Sequence, residues 1–273
     1  MSYRRKHIKP KLKKKKKFYQ QPLFFIFIVF LLVVIALYFI LFFSKFQISA
    51  IDISGNENIE SQDIENLAWL NINRKLFSLG PIMIETKSIF TVDSKALVKN
   101  ILDTFPSIQE VKIQKKLPNS ITLTIQERKP FAVFCPPAQA GQNDKECFFL
   151  DESGVIFDEL ENIPQDMFVV RKEASNQEIF SGENIINKDT ISMISKIEKE
   201  LENNFQVGVK EVLISDSLVF TTSENWKIYF DPASDINSQI TKMNVLLNDE
   251  IPPNIRKNLQ YIYLQYKGRA YYK

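Results

Sequence analysis

Asp151, Glu152, Asp158, Glu159 and Glu161 crowd into one short stretch of the chain. Carboxylates at such spacing do general acid–base work or hold a cation. The same residues also read as the solvated turn of a strand pair, FFLDESGVIF. A second candidate chemistry is a Ser-Lys dyad, with Ser49 or Ser54 as nucleophile and Lys112 or Lys116 as base. Such a lysine needs a lowered pKa on a buried strand, whereas the alternation around Lys112 and Lys116 assigns both to a solvent face. Cys135 and Cys147 enclose eleven residues, two of them proline. A disulfide there would close a loop whose entropy stabilises a fold by ~3 kcal/mol; the alternative is a pair of reduced thiols. Two cysteines alone make no metal site.

Absences narrow the chemistry further. The one histidine is His7, near the amino terminus, so the rest of the chain has no imidazole for a Ser-His-Asp or Cys-His arrangement or for a typical zinc site. The seven glycines are scattered, and no G-x-G-x-x-G, P-loop or G-x-S-x-G is written.

The elements that must position these residues divide by charge. Ten of the 35 basic residues lie before residue 45, with no carboxylate among them; the remaining 25 face 32 carboxylates, a net of −7. Leu23 to Phe43 is an unbroken apolar run without a charge, ~30 Å as a helix and long enough to cross a bilayer. It is longer than a signal-peptide core, and Ile48-Ser49-Ala50 makes a poor cleavage site, so an uncleaved anchor is expected. Basic residues stay on the cytoplasmic side. The tail is therefore placed inside and the chain from residue 45 outside. Nucleic-acid binding by the tail is the less simple reading.

Beyond the anchor, FQISAIDISGNENI reads as a strand ending at Gly55-Asn56, and ESQDIENLAWL as a helix capped near Ser61. Residues 74–87, with Gly80-Pro81, predict an inserted loop or short hairpin. A second helix starts from Asp93 as N-cap and stops at Pro106. Val111 and Ile113, then Ile121, Leu123 and Ile125, alternate through a hairpin about Leu117-Pro118. Further strands are predicted in PFAVFC, CFFL, MFVVR, KEVLIS, LVFTT and WKIYF, with a hairpin turn at Asp151–Gly154. Helices are predicted over 188–204 and 235–249, and NLQYIYLQYKGRAYYK closes as one tyrosine-rich strand. Tyr261, Tyr263, Tyr266, Tyr271 and Tyr272 suit either internal cross-strand contacts or an edge that receives another protein's strand.

In order and spacing, the basic tail, single anchor, Gly55-Asn56, Pro106, Leu117-Pro118, Glu127-Arg128-Lys129-Pro130, Leu150-Asp151-x-x-Gly154 and the closing YIYLQY resemble the FtsQ/DivIB family of bacterial cell-division proteins. The resemblance implies an α+β chain: tail 1–21, transmembrane helix 22–44, a β-α-α-β-β POTRA domain at 45–127 and a β domain with two helices at 128–273. It also implies a non-catalytic divisome scaffold in the cell membrane, without cofactor or metal, whose partners are FtsB/DivIC-like and FtsL-like membrane proteins and the septal peptidoglycan synthase complex. The partner strand would be received at Tyr261, Ile262, Tyr263, Leu264, Gln265 and Tyr266. The family's final strand often reads Ile-Asp-Leu-Arg-Tyr; here it lacks the Asp and the Arg. An anchored Ser/Lys or carboxylate hydrolase is the alternative from another class. An outer-membrane assembly protein is disfavoured by the helical anchor.

Overall fold

A computed structural model describes residues 22–79, 82–136, 147–173 and 179–273. The basic tail 1–21, the Gly80-Pro81 turn signal and most of the chain between the cysteines lie outside the described residues. Helix α1, Pro22–Phe42, is uncharged, and is the one helix among the described residues long and apolar enough to cross a membrane. A 3-10 turn, Ser44–Phe46, follows it.

Strand β1, Ala50–Ser54, leads into helix α2, Ser61–Ile72, which buries Ile64, Ala68 and Ile72 at four-residue spacing. Strands β2, Arg74–Leu79, and β3, Ile82–Thr86, pair antiparallel, so the insertion is a hairpin rather than a loop. Helix α3, Ser94–Thr104, begins where the Asp93 carboxylate accepts from the backbone N–H groups of Lys95 and Ala96, both at 3.1 Å. Strands β4, Ile108–Lys116, and β5, Ser120–Glu127, form the next hairpin, and Leu117-Pro118 is cis. Ile121, Leu123 and Ile125 are buried, as their alternation requires. The three-stranded sheet runs β1-β5-β4.

The remaining strands make a nine-stranded sheet. They are β6 (Ala132–Phe134), β7 (Cys147–Leu150), β8 (Ile156–Leu160), β9 (Val169–Lys172), β10 (Val209–Ile214), β11 (Leu218–Thr222), β12 (Lys227–Phe230), β13 (Tyr261–Tyr263) and β14 (Tyr271–Tyr272), in the order β14-β13-β12-β11-β10-β9-β6-β7-β8. Strand β9 is parallel to both β6 and β10. Helix α4, Lys188–Phe205, buries Ile191, Ile194, Ile197 and Leu201. Helix α5, Ile236–Val245, is capped by Asp235 and buries Ile240 and Met243. These join Phe134, Phe220, Trp226, Ile228, Phe230 and Ile262 in one core. Trp226 is fully buried and donates Nε1–H to Glu224 at 2.8 Å, the partner a buried indole requires. Val133, Cys135 and Cys147 form a smaller cluster with Phe149, Leu160, Met167 and Val169. Cys135 and Cys147 are joined by a disulfide, with Cα atoms 4.4 Å apart.

Two expectations are corrected at the carboxyl end. The helix expected over 235–249 is α-helical only to Val245; Leu246–Glu250 winds as a π turn, and a short helix α6, Pro253–Arg256, follows. The closing tyrosine-rich segment is two strands, β13 and β14, because the chain turns back at 264–270. By contact density the chain forms two compact units. One comprises residues up to Ser54 with Ser61–Leu97 and Ile113–Leu123; the other comprises Gly55–Glu60, Val98–Lys112 and Thr124–Lys273.

Candidate functional site

The Glu127-Arg128 pair is built from the end of β5. The Glu127 carboxylate accepts from the backbone N–H groups of Glu57, Asn58 and Ile59 at 2.8 to 3.1 Å and from the Asn58 amide at 2.9 Å. Burial alone would raise its pKa, but these bonds to the ionised form outweigh burial and hold it below the ordinary carboxyl value. The clasped loop follows Gly55, whose φ of +85° suits glycine; a Cβ there would lie 2.3 Å from the Ile125 carbonyl oxygen. Arg128 points the other way. Its Nε donates to the Pro106 carbonyl at 2.9 Å and its Nη1 to Asp151 Oδ2 at 2.5 Å. The other Asp151 oxygen accepts from the N–H groups of Ser153 and Val155, closing the turn between β7 and β8. Gly154, in that turn, has φ +82°. These motif residues hold backbone to backbone and leave no free acid or base.

The other candidate chemistries do not assemble. Asp151 is committed to Arg128, and Asp158 accepts from the Ser107 hydroxyl at 3.0 Å. No three His, Cys, Asp or Glu side chains converge as a metal site among the described residues. Ser49 accepts from the Asn119 amide at 2.8 Å. Lys112 lies 3.3 Å from Glu110, and Lys116 lies 4.0 Å from Asp52; all four are exposed.

The carboxyl-terminal sheet edge is the remaining site. Strand β13 is parallel to β12, with Tyr229 opposite Tyr263. Their rings lie 4.3 Å apart, and Tyr261 and Tyr263 are 4.9 Å apart, so three tyrosines share one face. Ile262 and Leu264 are fully buried on the other face. Of the six residues expected at the edge, Tyr261–Tyr263 are in strand β13, and Leu264 N–H still bonds the Tyr229 carbonyl at 3.0 Å. Gln265 leaves the ladder and hydrogen-bonds Ser217 through its side chain; Tyr266 is exposed and meets Tyr271 edge-on at 5.4 Å.

Strand β13 is not the outermost strand. β14 pairs with it antiparallel, Ile262 opposite Tyr272 and Tyr263 opposite Tyr271. Lys273 carries the ladder on, exchanging backbone bonds with Tyr261 at 3.2 and 3.3 Å. The return turn is held by Lys242 of α5, whose ammonium donates to the carbonyls of Leu264, Tyr266 and Arg269. Burial lowers the pKa of Lys242. Its three acceptors lie 22 to 27 positions away, so no local pattern marks the residue in the sequence.

Comparison with known proteins agrees with this architecture. Residues 80–128 match the model of a POTRA domain of FtsQ type. The chain is 22% identical over 231 residues to the cell division protein DivIB of Clostridium tetani (strain Massachusetts / E88), covering 82% of this chain and 77% of that one. It is 25% identical over 241 residues to the cell division protein DivIB of Clostridium botulinum (strain Hall), covering 82% and 80%. An apolar amino-terminal helix, a POTRA module and a strand-rich sheet domain define a mixed α+β membrane protein. Within that class, the FtsQ-type POTRA match and the similarity to DivIB proteins support the FtsQ/DivIB family and a role in cell division.

Proposed function

We propose that the chain is a non-catalytic scaffold of the divisome. Its tail lies in the cytoplasm. A POTRA domain at 45–127 and a β domain at 128–273 lie outside, where they bind FtsB/DivIC-like and FtsL-like membrane proteins and help assemble the septal peptidoglycan synthase. The observation that carries this reading is the sheet edge at Tyr261–Tyr266. There, a nine-stranded sheet ends in a strand of only two residues, Tyr271–Tyr272, both exposed. Sheet edges bind extended segments through main-chain bonds, and aromatic side chains add affinity. The chain's own β14 occupies the outer face of β13, so the partner strand would take the place of β14. The Arg128–Asp151 pair belongs to the scaffold rather than to the contact.

The test is co-purification from native membranes after cross-linking, with alanine at Tyr261, Tyr263 and Tyr266 together. Loss of the small membrane partners and filamentous cells are expected. Undiminished capture with normal septa would overturn the edge as the docking site.

A further inference from the structure

The β2–β3 hairpin interrupts the module between its two helices, and the sheet edge makes no use of it. Its root sits on the anchor. Thr86 Oγ1 donates to the Leu41 carbonyl at 2.6 Å, Ser88 Oγ to the Ile40 carbonyl at 2.7 Å, and the Gln47 amide to the Leu41 carbonyl at 2.7 Å. These carbonyls belong to the last turn of α1, where helical donors run out. A helix of this length brings its last turn to the boundary between hydrocarbon and headgroups. Strand β3 therefore ends, at Thr86, at the surface of the membrane that α1 crosses. Aromatic rings gather at the same level. Phe43 and Phe46 are 5.9 Å apart, and Phe46 and Phe90 are 5.3 Å apart, as suits interfacial depth.

From this root the sequence runs uncharged. Leu76 to Ile84 contains no Lys, Arg, Asp or Glu, while Arg74, Lys75, Glu85 and Lys87 all stand at the base. The register pairs Phe77 with Ile84 and Leu79 with Ile82. Leu76, Ile84, Phe90 and Leu70 are exposed. The hairpin forms a sheet of its own, and a lone two-stranded ribbon with an apolar surface is marginal in water. Its strands span roughly 16–20 Å at ~3.3 Å per residue, enough to lie across the headgroup layer. Lys and Arg at the base favour the anionic phosphates there.

We propose that the β2–β3 hairpin is a second membrane contact, with its uncharged strands seated in the lipid interface beside α1 and Arg74 and Lys75 at the phosphates. Lipid is the occupant because the hairpin is hydrogen-bonded at its root to a helix that itself ends at the bilayer surface. The proposal rests on α1 crossing a membrane.

The test places a nitroxide label on the full chain, by Leu76→Cys or Ile84→Cys, in dilute proteoliposomes of phosphatidylethanolamine and phosphatidylglycerol. The disulfide leaves the native cysteines unlabelled. Leu32→Cys, within α1, and Val245→Cys, exposed on α5, serve as references. Collisions with oxygen and with a water-soluble nickel chelate are compared. Labels at 76 and 84 are expected to favour oxygen over nickel, as the Leu32 label does. Nickel access at both positions equal to that at Val245, with the Leu32 label still lipid-buried, would overturn the hairpin contact alone. Protection from both reagents would also overturn it, in favour of a protein neighbour. Nickel access at Leu32 would instead show that the anchor reading itself has failed.

Discussion

Arg128 and Asp151 form the least exposed ion pair among those in the described residues, with Nη1 2.5 Å from Oδ2 and side chains 14% and 4% exposed. The pair sits between the end of β5 and the β7–β8 turn, and every polar atom of Asp151 is engaged. A pair this enclosed holds structure together more than it adds net stability, because desolvation offsets much of the attraction.

Breaking one side therefore costs more than removing both. Arg128→Met alone is expected to destabilise the detergent-solubilised chain by about 3 kcal/mol, since it leaves a buried carboxylate unpaired. Arg128→Met with Asp151→Leu should recover part of that loss. Denaturant midpoints of the two variants check this; a double variant no more stable than Arg128→Met would overturn it.

Glu127 predicts an acid dependence. Its pKa is lowered in the folded chain, so its contribution is present above the ordinary carboxyl value of 4.5 and is lost as pH falls through the folded value. Glu127→Gln should lower the melting temperature at pH 7. Its curve and that of the parent chain should converge as pH drops below 4.5. Parallel curves across that range would contradict the assignment.

The disulfide between Cys135 and Cys147 predicts a redox dependence of stability. Reduction, or Cys135→Ser with Cys147→Ser, should destabilise the chain by ~3 kcal/mol through loop-closure entropy. Alkylation followed by mass spectrometry should find both thiols blocked until a reductant is added.

Strand β14 predicts an effect of truncation. Deleting Tyr271–Lys273 removes a few backbone hydrogen bonds, each worth about 1 kcal/mol net, and frees the outer face of β13. Partner capture should strengthen several-fold in a pull-down titration. Loss of capture would mean instead that the partner adds onto β14.

Much of this architecture was legible because its signals are local. The three- and four-residue spacing of Ile191, Ile194, Ile197 and Leu201 marked α4, and the alternation of Ile121, Leu123 and Ile125 marked β5, each with its buried face. Asp93 and Asp235 are caps that contact N–H groups two or three residues on. The misses are long-range. The one local sign near Tyr266 that the chain turns back is Gly268, at φ +67°; the turn is held from Lys242, and composition alone reads 258–273 as continuous strand. The role of Glu127 was hidden for the same reason, since its partners lie 68 to 70 positions earlier. The carboxylate-rich stretch from Asp151 suggests acid–base chemistry because spacing does not show that an arginine has already claimed its first carboxylate.

The passage out of the membrane leaves little slack. Phe46 and Gln47 close the 3-10 turn, Ile48 bonds Lys87, and Ser49 bonds Asn119, so the backbone from Phe46 to Ser49 is fastened. Such a junction behaves as a stiff coupling rather than a tether. Any change in tilt or roll of the helix, such as one imposed by neighbouring helices in the bilayer, becomes a swing of the strands that follow it.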